Sequence, residues 1–287
     1  PPNISIIFNS PIPYKIIEIL GGLGNQMFQY SLYLKFKKLG YNAKIDLSNL
    51  RNYKLHNGYE LEKIFKIKPE IATYDEVRKY SRYKKYTILN KILNKISLSK
   101  KTEFIEKSFF TFDKEIFDNN MKIYYKGYWQ NERYFSDIKS EIFNCFKFDQ
   151  PINELNISVL NKIINSNSVS IHIRRGDYLN DNKRNKICDV NYYKDAVKLI
   201  NSNISNPNFY IFSDDIDWCM KSFQLSNVEY IYWNKDDTSY IDMQLMSKCK
   251  HNIIANSSFS WWAAWLNINP EKIVVTPKYW ISSVQTS

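Results

Sequence analysis

The stretch His172-Ile173-Arg174-Arg175-Gly176-Asp177-Tyr178 concentrates the chain's most chemically pointed side chains. Arginine is scarce here: only Arg51, Arg78, Arg82, Arg133 and Arg184 occur besides this pair, against a large excess of lysine. Two adjacent guanidinium groups in a lysine-biased chain point to a need for planar, bidentate donors to phosphate or carboxylate. A surface ion pair with Asp177 is the plainer alternative.

Four further segments carry chemistry of a related kind. Gly21-Gly22-Leu23-Gly24-Asn25-Gln26 is a turn whose backbone N–H groups can face a phosphate, with side-chain donors added by Asn25 and Gln26. It matches neither GxGxxG nor GxxxxGK[ST], and a tight packing turn is the simpler reading. Ser213-Asp214-Asp215 follows an apolar run, and Asp215-Ile216-Asp217 spells a DxD that either binds a divalent metal or caps the next helix. In Asn256-Ser257-Ser258-Phe259-Ser260-Trp261-Trp262, clustered hydroxyls open an apolar segment, an arrangement suited to an anion at a helix N-terminus. Its tryptophans are expected in the core rather than stacked on a ligand. Asp242 sits in an otherwise apolar helical stretch, either as a surface carboxylate or as an acceptor for the paired N–H groups of guanine. Together these segments specify a diphosphate site built from an arginine pair, a serine-rich helix start and a glycine loop, with no persuasive metal cluster.

The elements that must hold these segments alternate. Lys15–Leu20 reads as a buried strand, Asn25–Leu39 as a helix closed by Gly40, and Asn42–Asp46 as the next strand. A further strand is expected at Ile123–Tyr128 and a helix at Asn131–Phe146, while Lys54–Lys107 is ambiguous. Gln150–Ser168, with Pro151 and many Asn and Ser, is the expected boundary. Beyond it, strands are expected at Val169–Ile173, Phe209–Phe212, Val228–Trp233, Asn252–Ala255 and Lys272–Thr276. Helices fit between them at Val190–Asn201, Ile216–Gln224, Ser239–Cys249 and Phe259–Leu266. That is a Rossmann-like half, whose ligands lie beyond the carboxyl ends of its strands. The expected organisation is an acceptor-side α/β domain over 15–150 and a nucleotide-binding domain over 165–280.

Composition narrows the class. The 287 residues include only seven glycines, where average usage predicts roughly twenty. Collagen-like and low-complexity classes are therefore excluded. No apolar run approaches the ~20 residues of a membrane span, and no secretory leader is expected from PPNISIIFNSPIPY. Cys145, Cys188, Cys219 and Cys249 lack ligand spacing, so a reducing, cytoplasmic setting is expected. The net charge of +11 is dispersed except between Arg78 and Lys107, a candidate contact with an anionic membrane on its inner face. No nucleic-acid-binding pattern is present.

The chain resembles the α-1,2-fucosyltransferases of glycosyltransferase family 11. The resemblance is carried by GGLGNQMFQY (21–30), GYELEKIF (58–65), GYWQNERYF (127–135), HIRRGDYL (172–179), DVNYYKDAV (189–197), FYIFSDDIDWC (209–219) and DMQLMSKCKHNIIANSSFSWWAAWLN (242–267). It implies a GT-B-like α/β fold of two facing Rossmann-like domains, with the nucleotide-sugar site in the C-terminal half. It further implies inverting transfer of L-fucose from GDP-β-L-fucose to the 2-hydroxyl of a terminal galactose, with no cofactor or metal required. The acceptor would be a surface-glycan oligosaccharide, free or carried on a lipid pyrophosphate. By the same resemblance Arg174 contacts the donor's β-phosphate, with His172 and Arg175 positioned beside it; Asp215, at the start of the DxD, is counted with Arg175 among the donor-binding residues. Asp242 falls where relatives read guanine, and Ser257, Ser258 and Phe259 fall where they hold the diphosphate. Gly22, Gly24, Asn25 and Gln26 close the site, and Asp177 is either the general base or an orienting partner of the arginines. Another GDP-sugar as donor and a non-catalytic glycan-binding module are the alternatives.

Overall fold

Ile16 and Ile17 are wholly buried, and the apolar run around them forms strand β1 (Tyr14–Glu18) at the centre of the first sheet. The computed structural model describes residues 14–50, 57–81, 102–118, 121–149, 153–176, 181, 184, 187–281 and 284–285. These fall into two compact units that divide between Cys145 and Phe146.

In the first unit β1 is followed by α1 (Leu23–Lys38), β2 (Asn42–Asp46), α2 (Leu61–Phe65), α3 (Tyr74–Tyr80), β3 (Glu103–Ile105), α4 (Glu115–Asp118), β4 (Tyr124–Lys126) and α5 (Lys139–Cys145). The sheet order is β2-β1-β4-β3, parallel throughout. Helix α1 ends in paired bonds from Gly40 N–H to Lys37 O and from Tyr41 N–H to Phe36 O, the Schellman arrangement. Its last turn carries Lys35, Lys37 and Lys38, cations placed favourably at the negative end of the helix dipole. The continuous helix expected over 131–146 is interrupted. Two 3₁₀ turns occupy Glu132–Tyr134 and Ser136–Ile138, and Phe135 between them leaves the helical region at φ −144°, ψ 12°. Phe135 is wholly buried against Phe28 of α1, so ring packing overrides the local helical pattern.

The second unit runs α6 (Glu154–Ile164), β5 (Asn167–Ile173), α7 (Val190–Asn203), β6 (Pro207–Ser213), α8 (Ile216–Ser222), β7 (Val228–Ile231), α9 (Tyr240–Lys248), β8 (His251–Ile253), α10 (Ser258–Leu266) and β9 (Val274–Val275). A short antiparallel pair, β10 (Tyr279–Ile281) and β11 (Val284–Gln285), follows. The main sheet has the order β7-β6-β5-β8-β9, again parallel. Covered on both faces, β5 is buried from Ser168 to Ile173, as the inner strand of a parallel sheet requires. Its Val169, Ile171 and Ile173 pack with Tyr193, Val197 and Ile200 of α7. Trp262 is wholly buried, edge-on to both Trp261 and Trp265, so this helix does place most of its aromatic surface in the core. Asn153 and Asp189 cap α6 and α7 with side-chain acceptors.

Candidate functional site

Neighbouring strands β5 and β8 send the chain away to opposite sides of the second sheet. At such a switch point the helices diverge and leave a crevice beyond the carboxyl ends of the strands. The chain passes this edge at Arg174–Gly176 after β5, at Asp214–Asp215 after β6, and at Ile254–Ser257 after β8.

The loops after β5 and β6 interlock. Asp214 Oδ2 lies 3.1 Å from the Arg174 guanidinium, and its Oδ1 accepts the Arg175 backbone N–H at 2.8 Å. Arg175 is braced separately: its Nε donates to Asp215 Oδ2 at 2.9 Å, and its guanidinium lies 3.9 Å over the Trp218 ring. Asp215 Oδ1 meanwhile accepts the Trp218 N–H and caps α8. The DxD carboxylate Asp215 thus serves a helix start and an arginine at once. A Cβ on Gly176 would stand 2.9 Å from Asp214 Oδ2, so the bare backbone lets the two loops close on each other.

His172 is the penultimate residue of β5. Its imidazole is buried, and burial, reinforced by the Arg174 charge, lowers its pKa to about 3, so the ring is neutral at physiological pH. Nδ1 is buried and has no hydrogen-bond partner among the described residues. The ring lies 5.6 Å from that of Phe259, joining the end of β5 to the start of α10. The serines there divide by role. Ser257 Oγ accepts the Phe259 N–H as the helix cap, whereas the buried Ser260 hydroxyl bonds to the carbonyls of Ala255 and Ser257. Asn256 is tied down by Trp280 O, and Ser258 is half-buried in the first turn.

Asp242 occupies the first turn of α9, the end of that helix lying at the same edge of the sheet. Burial raises its pKa to about 7, partly offset by the Asn234 amide, which donates to Oδ1 at 2.7 Å. Asn234 in turn forms a reciprocal amide pair with the wholly buried Asn156 of α6, at 2.8 and 3.0 Å. Trp233 Nε1 completes the group by donating to Asn156 Oδ1 at 2.8 Å. Neither asparagine stands in a motif, and only their position in the fold marks them.

In the first unit the glycine turn follows β1 and opens α1. The buried Gln26 amide donates to Gly21 O at 2.9 Å and Gly58 O at 2.7 Å, while its Oε1 accepts the Glu60 N–H at 3.0 Å. Gln29 Nε2 donates to Gly127 O at 2.9 Å, and Gln130 Nε2 donates to Asn25 Oδ1 at 2.6 Å. The stretches beginning at Gly58 and Gly127 are therefore the framework of this turn. Glu106, also unmarked in the sequence, accepts the N–H groups of Tyr128 and Trp129 at 2.8 and 3.2 Å. Gly22 is the residue preceding α1, and Gly24 is buried within its first turn.

Asp177 and most of the basic stretch, residues 82–101, lie outside the described residues. Among the described residues no three His, Cys, Asp or Glu side chains converge on a metal-sized space, and no helix is long and apolar enough to cross a membrane. The four cysteines are free thiols.

A family model described as glycosyl transferase family 11 matches residues 14–286. An alpha-1,2-colitosyltransferase of Escherichia coli is 36% identical over 281 residues, covering 92% of this chain and 91% of that protein. The O-antigen biosynthesis glycosyltransferase WbnK, also of Escherichia coli, is 33% identical over 290 residues, covering 91% and 93% respectively. Among solved structures, NodZ alpha-1,6-fucosyltransferase soaked with GDP-fucose aligns at a TM-score of 0.53 and 14% identity, covering 89% of this chain and 92% of that one. That likeness is one of fold: a GT-B-like α/β architecture with two parallel sheets.

Proposed function

The chain belongs to glycosyltransferase family 11, and from that premise we propose that it transfers L-fucose from GDP-β-L-fucose to the 2-hydroxyl of a terminal galactose, inverting the anomeric centre. The glycan is of the surface-polysaccharide or O-antigen type, in keeping with the second E. coli relative. The observation that carries this reading is the Arg174–Asp214 pair at the switch-point crevice, with His172 and the start of α10 beside it.

As the glycosidic bond breaks, negative charge gathers on the departing β-phosphate. Arg174 meets it with a fixed guanidinium, and the first turn of α10, with Ser257, Ser258 and Phe259, adds helix-terminal N–H groups and the positive end of its dipole. A donor set of this kind stabilises the leaving group without a metal ion. His172, uncharged, offers the diphosphate a hydrogen-bonding ring and no second positive charge. Arg175 and Asp215 keep the loop in shape. Asp242 accepts the paired N–H groups of guanine, and Gly22, Gly24, Asn25 and Gln26 belong to the donor-binding set. The acceptor hydroxyl loses its proton late, so a base contributes modestly; Asp177 is the carboxylate proposed for it. Contact of residues 78–107 with an anionic membrane, and a lipid-pyrophosphate acceptor, belong to the same reading.

A second donor is favoured by a specific observation, the colitosyl specificity in the name of the 36% identical relative. Colitose is 3-deoxy-L-fucose, so the two sugars differ at one hydroxyl. The deciding experiment offers GDP-fucose and GDP-colitose with lactose, Gal-β1,3-GalNAc and Gal-β1,3-GlcNAc, with and without EDTA, and reads products by mass spectrometry with linkage analysis. An α-1,2-fucosyl product formed in EDTA is expected. Exclusive use of GDP-colitose would move the assignment to the second donor, and loss of activity in EDTA would remove the metal-free mechanism.

A further inference from the structure

Asp242 is a carboxylate whose surroundings oppose its charge. Its side chain is half-buried, the only polar group of the described residues acting on it is the Asn234 amide, and no charged side chain offsets the burial. Guanine presents two N–H donors at its Watson–Crick edge, and a neutral carboxylic acid would set its own O–H against one of them. Recognition therefore needs the ionised form.

The Asn156–Asn234 pair has a geometry that supplies this. Asn156 donates to Asn234 Oδ1, and Asn234 returns one N–H to Asn156 Oδ1, closing a ring of two amides. The second N–H of Asn234 is directed at Asp242 Oδ1, and Trp233 Nε1 holds Asn156 from behind. The carboxamide of Asn234 thus uses both of its N–H groups and its oxygen on Asn156 and Asp242, and Asp242 Oδ2 accepts no hydrogen bond among the described residues. Asn156 lies on α6, Asn234 in the loop after β7 and Asp242 on α9, so three elements fix one oxygen atom.

We infer that Asn156 and Asn234 are positioning residues for nucleotide recognition: by donating to one lone pair of Oδ1 they orient the Asp242 carboxylate and leave Oδ2 and the second Oδ1 lone pair for the paired N–H groups of the base. The inference rests on the reading of Asp242 as the guanine acceptor. With burial raising the Asp242 pKa to about 7, affinity for GDP is expected to rise with pH through neutrality and level off above it. Loss of the Asn234 donor moves that rise to higher pH. A pH-independent loss of affinity would be the mark of a merely structural role.

The test measures GDP affinity by calorimetry from pH 6 to 9 for the wild type, Asn234→Ala, Asn156→Ala and Asp242→Asn. Taking the variant-to-wild-type ratio of Kd at each pH cancels ionisation of the nucleotide phosphates. For Asn234→Ala the expected ratio is about tenfold at pH 6 for each pH unit by which the midpoint moves, falling toward one at pH 9. Asn156→Ala, which keeps the donor and loses its brace, shifts the midpoint in the same direction by less, and stands in for Asn234→Ala if that variant fails to fold. A ratio constant across pH, or a wild-type profile without a midpoint near neutrality, overturns the inference. Asp242→Asn tests the underlying reading separately. If it binds GDP as tightly as the wild type and still prefers it to ADP, the guanine assignment itself fails. If it loses GDP while the asparagine variants show no pH-dependent change, the assignment stands and the positioning role falls.

Discussion

Asp214 holds Arg174 by its guanidinium and Arg175 by its backbone, one carboxylate oxygen on each. The arginine proposed to meet the β-phosphate is thereby aimed by a residue on the adjacent strand's loop. Both side chains are about one-third exposed, so the pair adds little to stability, on the order of 1 kcal/mol or less. Its value lies in orientation. Asp214→Ala is expected to lower kcat by about 10²-fold, the penalty typical of a misplaced group. Arg174→Ala is expected to lose about 10²–10³-fold through the missing charge itself. Unchanged kcat in Asp214→Ala with an unchanged melting temperature would remove the orienting role.

Gly176→Ala tests the same contact from the backbone side. The new Cβ would stand 2.9 Å from an Asp214 oxygen that is already committed to Arg174. The carboxylate must move, and Arg174 moves with it. Activity is expected to fall toward that of Asp214→Ala while thermal unfolding changes by only a few degrees. Wild-type activity in Gly176→Ala would show that the loops tolerate separation.

Gly127→Ala should instead unfold the protein more easily. A Cβ there meets Glu106 Cβ at 2.5 Å, Glu106 Oε2 at 2.8 Å and Trp129 Cε2 at 3.0 Å, and Trp129 is wholly buried. Overpacking of this kind costs about 1–3 kcal/mol. Release of Tyr128 and Trp129 from Glu106 should also slacken Gln130 and, through it, Asn25 of the glycine turn. Chemical denaturation reads the first effect, and KM for the nucleotide sugar reads the second.

Gln26→Ala removes an amide that serves Gly21, Gly58 and Glu60 together. Buried polar groups left unsatisfied cost about 1–3 kcal/mol each, so this exchange should be among the more destabilising in the first unit. A stability within 0.5 kcal/mol of wild type, roughly the range of surface substitutions, would contradict the framework role.

Lys15 supplies a pH signature. It is wholly buried, donates to Lys122 O and Tyr125 OH, and lies 4.7 Å from the Tyr41 ring centroid, with burial lowering its pKa to about 8. In the unfolded chain the group titrates near 10.5. Between those values the unfolded state binds the extra proton, so this group adds stability as pH rises from about 8 toward 10.5 and adds none below that window. Denaturation of the wild type and Lys15→Met at pH 7, 8, 9 and 10 should show the wild type gaining relative to the variant as pH rises. Parallel curves would show that Lys15 titrates normally.

Much of the second unit is legible in the residues themselves. The apolar run from Val169 to Ile173 is a buried parallel strand because its pattern is continuous, and the helices that follow each strand keep their period. Trp262 and Trp265 of α10 are in the core because a helix that apolar has few faces left for solvent. The helix expected at 131–146 is not continuous, since Phe135 gains more from packing on Phe28 than from continuing the helix. Asn156, Asn234 and Glu106 carry no local signal at all, and Gln29 is marked only by the motif around it. Asparagine, glutamate and glutamine are ordinary surface residues in most settings, and only burial beside a particular partner gives them a role.

What the sequence determined by itself was local: where most of the strands lie, where a phosphate-seeking arginine pair sits, and which glycines open turns. Those follow from side-chain type and period along the chain, which are short-range properties. Tertiary structure decided the partnerships. The loops after β5 and β6 lie about forty positions apart in the chain, yet parallel register brings Ile173 beside Ser213, so that Arg174 meets Asp214. Chain spacing cannot foretell such a meeting, because strand order depends on how all the elements together bury their apolar faces.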